Sequence, residues 1–214
     1  MTRDSERAAR DGELAARELE LREGGFHAIA GIDEAGRGPL AGPVVAACTV
    51  LTALLPISGI DDSKRLSPKR RAQLAGEIRH HAAACGIGLA SPAEIDELNI
   101  YRATQLAMRR ALEAAFLRPD IVLVDAMPLP GLGLPVESIV GGDARCTAIA
   151  AASILAKEHR DALLRELDDL DPRYGFARHK GYGTPEHLDA LRRYGPSPYH
   201  RRSFAPVAAA LQRP

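Results

Sequence analysis

The sequence predicts an α/β fold, a central mixed sheet flanked by helices, and three observations carry that expectation. Short apolar runs of strand type alternate along the chain with segments of helical apolar spacing. The run at 120–126, DIVLVDA, is apolar until it ends on Asp125, as a strand covered on both faces would be. The runs at 27–33 and 42–51 lie too close together for a crossover helix, which permits an antiparallel start.

Each element has its own signal. Residues 1–25 carry Arg and Glu at helical spacing and end in Gly24-Gly25, which reads as an exposed helix or frayed N-terminal extension outside the core. HAIAGID (27–33) and GPVVAACTVL (42–51) read as strands. Ser67-Pro68 starts a helix, GIGLA (86–90) is a strand, and Ser91-Pro92 opens a short helix. Residues 99–117 form an amphipathic helix stopped by Pro119, followed by the strand at 120–126. A Pro/Gly-rich connector leads to a short strand ending at Asp143, then to a long helix over 144–167 with an Ala/Ser-rich face. A loop and a helix from Thr184-Pro185 precede a tail with little regular pattern. The expected division is an extension at 1–25 and one domain at 26–214, with an α/β core at 26–170 and a small, helical, basic region at 171–214.

Composition narrows the class. The 214 residues have no net charge, no tryptophan and no apolar run long enough to span a bilayer. The charged N-terminus has no signal-peptide core, and Cys48, Cys85 and Cys146 are spaced for neither disulfides nor zinc. A cytoplasmic protein is expected. Charge is unevenly placed: residues 173–214 hold eight Lys or Arg against two acids, leaving 20 bases and 26 acids before them. A basic tail on an acidic body suits a protein that holds cations in one place and polyanions in another.

Three strand-like runs end in acids: Asp33 with Glu34, Asp125, and Asp143. Singly, such acids read as turn or helix caps, and Asp143 could cap the helix at 144–167. Gathered at neighbouring strand ends, four carboxylates repel one another and call for hard divalent cations. Two ions about 4 Å apart would suit a phosphodiester displacement. Adjacent strand residues point to opposite faces, so Asp33 and Glu34 can share a site only if the backbone bends, as Gly36 and Gly38 would allow. His80, His81, His179, His187 and His200 fall in no ligand spacing. Asp161 lies about 27 Å along the helix from Asp143 and cannot join the site. It reads as an ion-pair partner of Lys157, on the helix surface or between elements.

With these residues assembled, the chain closely resembles the type 2 ribonuclease H family, the bacterial ribonuclease HII proteins. GIDEAGRGPLAGPVV, DSKRLS, ELNIYRATQLAM, VLVDA, GGDARCTAIAAASILAKEHRD, HKGYGTPEH and GPSPYHRRSF carry the likeness, in order, from about Ile29 to Val207. The resemblance implies a ribonuclease H-like fold and a metal-dependent endonuclease; a monomer is expected. It implies cleavage of RNA in RNA–DNA hybrids and nicking on the 5′ side of single ribonucleotides in duplex DNA, leaving 3′-hydroxyl and 5′-phosphate ends. The family's acids fall on Asp33, Glu34, Asp125 and Asp143, as ligands of two Mg²⁺ or Mn²⁺ ions. Its 2′-hydroxyl-sensing loop falls on Gly36, Arg37 and Gly38, and its junction-reading tyrosine on Tyr182. Lys64, Lys180, Arg201 and Arg202 are expected phosphate contacts. Where many members carry a lysine before the last aspartate, this chain has Gly142, and Arg145 is the nearest substitute charge.

Overall fold

The computed structural model describes residues 3–61 and 63–212; Asp62 of the DSKRLS motif and the chain ends lie outside the described residues. Helix α1 (Arg3–Glu23) leads into strand β1 (Ile29–Ala35) and strand β2 (Val44–Leu51). Helix α2 (Pro68–His81), strand β3 (Ala84–Ala90), helix α3 (Pro92–Leu98) and helix α4 (Ile100–Ala114) follow. Strands β4 (Ile121–Asp125) and β5 (Val136–Ile139) complete a five-stranded sheet of order β3-β2-β1-β4-β5. The β1–β2 and β2–β3 pairs are antiparallel, and the β1–β4 and β4–β5 pairs are parallel. The sheet is therefore mixed, as the sequence predicts.

Alternation along the strands divides the core. Ala30, Ile32, Val44, Ala46, Val122 and Val124 face α4, packed with Ala103, Ala107 and Met108. On the other face lies the long helix α5 (Thr147–Leu170). Its alanines let it come so close that a Cβ on Gly31 of β1 would meet the Ala148 carbonyl carbon at 2.1 Å. Helix starts are chemically plain: Ser67 and Ser91 accept N–H bonds from Arg70 and Glu94, and Ser91 with Glu94 forms a reciprocal capping box.

Several expectations are corrected. Helix α1 does not stand outside the core: Leu14 and Leu21 are buried, and Glu18 is 0 % exposed with its carboxylate accepting the Ala148 N–H at 2.8 Å. Arg17 clasps Glu137 of β5, and Arg22 donates to the Leu51 and Thr52 carbonyls. Charge at helical spacing concealed the apolar i, i+7 pair that does the docking. The strand expected to end at Asp143 stops at Ile139, and Asp143 sits in a 3₁₀ turn, Gly142–Ala144. The α5 N-cap is Cys146, which makes no side-chain cap, so Asp143 is not the N-cap residue of that helix. The tail contains helix α8 (Ala205–Leu211), which follows the loop helix α6 (Phe176–His179) and helix α7 (Pro185–Tyr194). No helix among the described residues is long and apolar enough to cross a membrane.

Candidate active site

Asp33 and Asp125 come together because their strands are parallel neighbours. Ile32 pairs with Val124, so the next residue of each strand, Asp33 and Asp125, ends its run side by side with the other. Both belong to the alternation series that faces α5. The bend expected between Asp33 and Glu34 is absent: β1 stays paired with β2 through Ala35. Parallel pairing with β4 stops at Ile32, which leaves the β4 side of β1 open there. The turn comes one step later, at Gly36 with φ +93°.

One cleft is lined by Asp33, Glu34, Asp125 and Asp143, and also by Gly36, Arg37, Gly38, Lys64 and Tyr182. Chain segments more than a hundred residues apart thus meet at one opening. Lys180 is not among the lining residues; it is half-buried, and its ammonium donates to the Ala177 carbonyl at 2.6 Å. Arg145 is exposed and does not line the cleft. Gly142 donates its N–H to Asp125 Oδ1 at 2.8 Å, and a Cβ there would meet the Ile149 Cδ1 at 2.5 Å. A lysine at this position would require Ile149 to shift.

The carboxylates are electrostatically uncomfortable. Asp33 is 5 % exposed, and its pKa is pushed well above the usual carboxylate range by burial and then by Glu34, with Asp125 adding to the repulsion. Burial also raises Glu34, opposed by the Arg37 guanidinium 3.3 Å from its Oε1. Glu34 Oε2 is buried with no hydrogen-bond partner, an arrangement that disfavours a lone protein and suits an added cation. The donor set is all oxygen, the chemistry of Mg²⁺ or Mn²⁺. As they stand, no three His, Cys, Asp or Glu side chains among the described residues close on a common point.

The supports of this cleft are mostly residues that sequence reasoning passes over. Ser153 of α5 hydrogen-bonds Asp33, and its Oγ lies 3.0 Å from that of Ser63, beside Lys64. A serine inside the apolar run AAASILA was the available signal. Arg71 holds the same segment by donating to the Ser63 and Leu66 carbonyls, and it also bonds Glu158 and Asp161. The Lys157–Asp161 pair is therefore part of an inter-element network rather than a surface pair.

Arg201, expected on phosphate, is instead 0 % exposed. It donates to the Gly42, Arg37 and Gly36 carbonyls at 3.0, 2.8 and 2.5 Å. Arg160 lies alongside, donating to Pro43, Lys180 and Ala41 carbonyls. Together they gather the carbonyl oxygens of the Gly36–Pro43 segment on its inner side. Burial lowers Arg160 to about 10 and Arg201 to about 9, so both stay charged at neutral pH beneath the glycine loop. A Cβ on Gly36 would lie 1.9 Å from the Arg160 Nε, so no other residue fits. Arg202 is exposed, with its backbone N–H held by Asp96.

Comparison with known proteins identifies the family. Residues 30–207 match the family model described as Ribonuclease HII. A Ribonuclease HII of Polaromonas sp. (strain JS666) is 58% identical over 184 residues, covering 86% of this chain and 92% of that protein. One from Desulfitobacterium hafniense (strain DSM 10664 / DCB-2) is 56% identical over 198 residues, covering 92% of this chain and 76% of its own length. Among solved structures, the ribonuclease H2 from Pyrococcus horikoshii OT3 superposes with a TM-score of 0.72 at 27% identity, covering 86% of this chain and 96% of that one. The family match over residues 30–207, the close relatives and the shared fold lead to one assignment: this chain belongs to the ribonuclease HII family, nucleases that hydrolyse the RNA strand of RNA–DNA hybrids.

Proposed function

We propose that this nuclease also nicks duplex DNA on the 5′ side of single embedded ribonucleotides, leaving 3′-hydroxyl and 5′-phosphate ends. The observation that carries the reading is the single cleft that joins the four acids to Gly36, Arg37, Gly38 and Tyr182. Asp33, Glu34, Asp125 and Asp143 would hold two Mg²⁺ or Mn²⁺ ions. When bound, such ions supply the positive charge that stabilises attacking and leaving oxygens in a phosphodiester displacement.

The chain's own groups define the rest. With the Gly36 and Arg37 carbonyls drawn inward by Arg201, and the flanking Ala41 and Lys180 carbonyls held by Arg160, the two glycines would let the loop backbone come close to a 2′-hydroxyl, the group that separates RNA from DNA. The Tyr182 ring is 51 % exposed, and its Cε1 lies 3.6 Å from where a Gly38 Cβ would stand. Stacked on the adjoining sugar, it accepts deoxyribose and crowds a ribose. Lys64, an exposed residue of the cleft lining, would meet a phosphate.

The test uses a DNA duplex bearing one ribonucleotide, an all-DNA duplex as control, and EDTA as metal control. Asp33→Asn is expected to abolish nicking while duplex binding persists, and wild-type-like nicking by that variant rejects the proposal. Cutting of the all-DNA duplex would reject the ribonucleotide reading.

A further inference from the structure

His179, His187 and His200, which fall in no pattern along the chain, are buried together behind Tyr182. The rings of His179 and His187 stack with centroids 4.4 Å apart, and Phe176 packs against both His187 and His200 at 5.6 Å. Their hydrogen bonds leave one self-consistent assignment of protons. The Ser197 backbone N–H, which can only donate, points at His200 Nδ1 from 3.0 Å, and the Ser197 hydroxyl, which can donate to the same lone pair, lies 2.8 Å from it, so that nitrogen carries a lone pair. The His200 proton is then on Nε2, 3.0 Å from His187 Nε2, which must accept it. That leaves the His187 proton on Nδ1, 2.9 Å from the Tyr182 carbonyl oxygen, which can only accept. The result is a relay of fixed direction: Ser197 N–H to His200 to His187 to the Tyr182 carbonyl. His179 is likewise committed, accepting from Gly181 N–H at Nδ1 and donating from Nε2 to the Tyr174 carbonyl.

The relay ends on a backbone that needs holding. Lys180 and Gly181, just before Tyr182, both have positive φ, at 52° and 79°. A non-glycine residue in that region is costly and persists only where its surroundings over-determine it. The Lys180 carbonyl is held by Arg160, and the Gly181 carbonyl by the Leu40 N–H at 2.8 Å. One dipeptide fixes both edges of the cleft: His200 secures Tyr182 through His187, while Arg201 secures Gly36 and Arg37 directly.

We propose that His187 and His200 are positioning residues for junction discrimination, setting the spacing between the Tyr182 ring and the glycine loop through this neutral, one-way relay. The inference rests on the junction-reading role of Tyr182 proposed above. Neutrality is intrinsic to it at His187, because a proton added to its Nε2 would set donor against donor across the contact with His200. Burial lowers both histidines, His200 to about 4, with His187 and His179 adding repulsion and Asp171 opposing it.

The test compares kcat/KM on the single-ribonucleotide duplex with kcat/KM on a long uniform hybrid. His187→Leu is expected to lower the junction-to-hybrid ratio by roughly tenfold, and His187→Asn, whose amide N–H replaces the Nδ1 donor, to restore it to within about threefold. An unchanged ratio in His187→Leu, or an Asn variant no better than Leu, overturns the proposal. Tyr182→Ala run in parallel separates the two ideas. If it leaves the ratio unchanged, the tyrosine reading and the relay's purpose both fail; if it alone shifts the ratio, only the relay fails. Should His187→Leu not fold, ¹⁵N imidazole spectra of the wild-type protein decide. Nδ1–H at His187 with Nε2–H at His200 is expected, and the reverse tautomers or a charged ring at neutral pH overturns it.

Discussion

At the scale of single residues, the chemistry depends on side chains in places they would not choose alone. Asp33 is buried and repelled by its neighbour Glu34, itself half-buried with one enclosed oxygen that has no hydrogen-bond partner. Arg201 shows the opposite economy, a buried cation each of whose three guanidinium nitrogens donates to a backbone oxygen. Its removal strands the Gly36, Arg37 and Gly42 carbonyls in the interior. Arg201→Met is therefore expected to lower unfolding free energy by about 1–3 kcal/mol in denaturant titration. Arg201→Lys should not restore it, because one ammonium cannot reproduce a planar fork aimed at three carbonyls. Full rescue by lysine would show that charge rather than geometry holds the loop.

At the scale of elements, α1 and α5 are interdependent. The N-terminus of α5 has no cap of its own, and Glu18 from α1 supplies the missing acceptor across the fold. Asp143 lies four residues before α5 begins, so this cap also steadies the turn that carries it. Glu18→Ala is expected to lower stability by about 1–3 kcal/mol, read by thermal or denaturant unfolding. Glu18→Gln keeps an acceptor and separates charge from hydrogen bonding. Burial raises the folded Glu18 carboxyl above its unfolded value. Its contribution is thus fullest below the unfolded value and is lost as pH rises through the folded one. The stability of Glu18→Gln relative to wild type should therefore be more favourable near about pH 8 than near about pH 4. A difference independent of pH would mean that the Glu18 charge is compensated in the fold.

At the scale of the whole molecule, the acidic cleft lies beside two buried guanidiniums, and the charge count of the chain shows neither. Several bases of the C-terminal region are internally engaged. Arg173 pairs with Asp171, Arg178 with Glu186, Arg192 with Asp189, and Arg201 is interior. Those three pairs are local and exposed, so of the four bases only Arg201 fastens the fold, while the pairs reduce the free positive charge the tail offers to polyanions. Carboxylates crowded in the folded state and dispersed in the unfolded one also make cation binding a folding force. Saturating Mg²⁺ or Mn²⁺, at a hundred times its Kd, is expected to stabilise the protein by about 2.7 kcal/mol, raising Tm in calorimetry. The Asp33→Asn variant should show a smaller rise; an equal one would place the bound ion elsewhere.

What the sequence determined by itself was whatever is written locally. Period-2 and period-3.6 patterns marked the sheet and the main helices, and Ser-Pro and Thr-Pro starts marked α2, α3 and α7. The acids, glycine loop and tyrosine were legible from type and motif, down to the residues that line one cleft. Tertiary structure decided the partnerships. Nothing near Glu18 in sequence announces Ala148, nothing near Arg201 announces Gly36, and the spacing of His187 and His200 says nothing of the hydrogen bond between them. A hydrogen bond across a fold is set by where packed elements bring two groups, and packing depends on the whole chain at once. Even the opening beside Glu34 exists only because β4 ends at Asp125 while β1 runs on to Ala35.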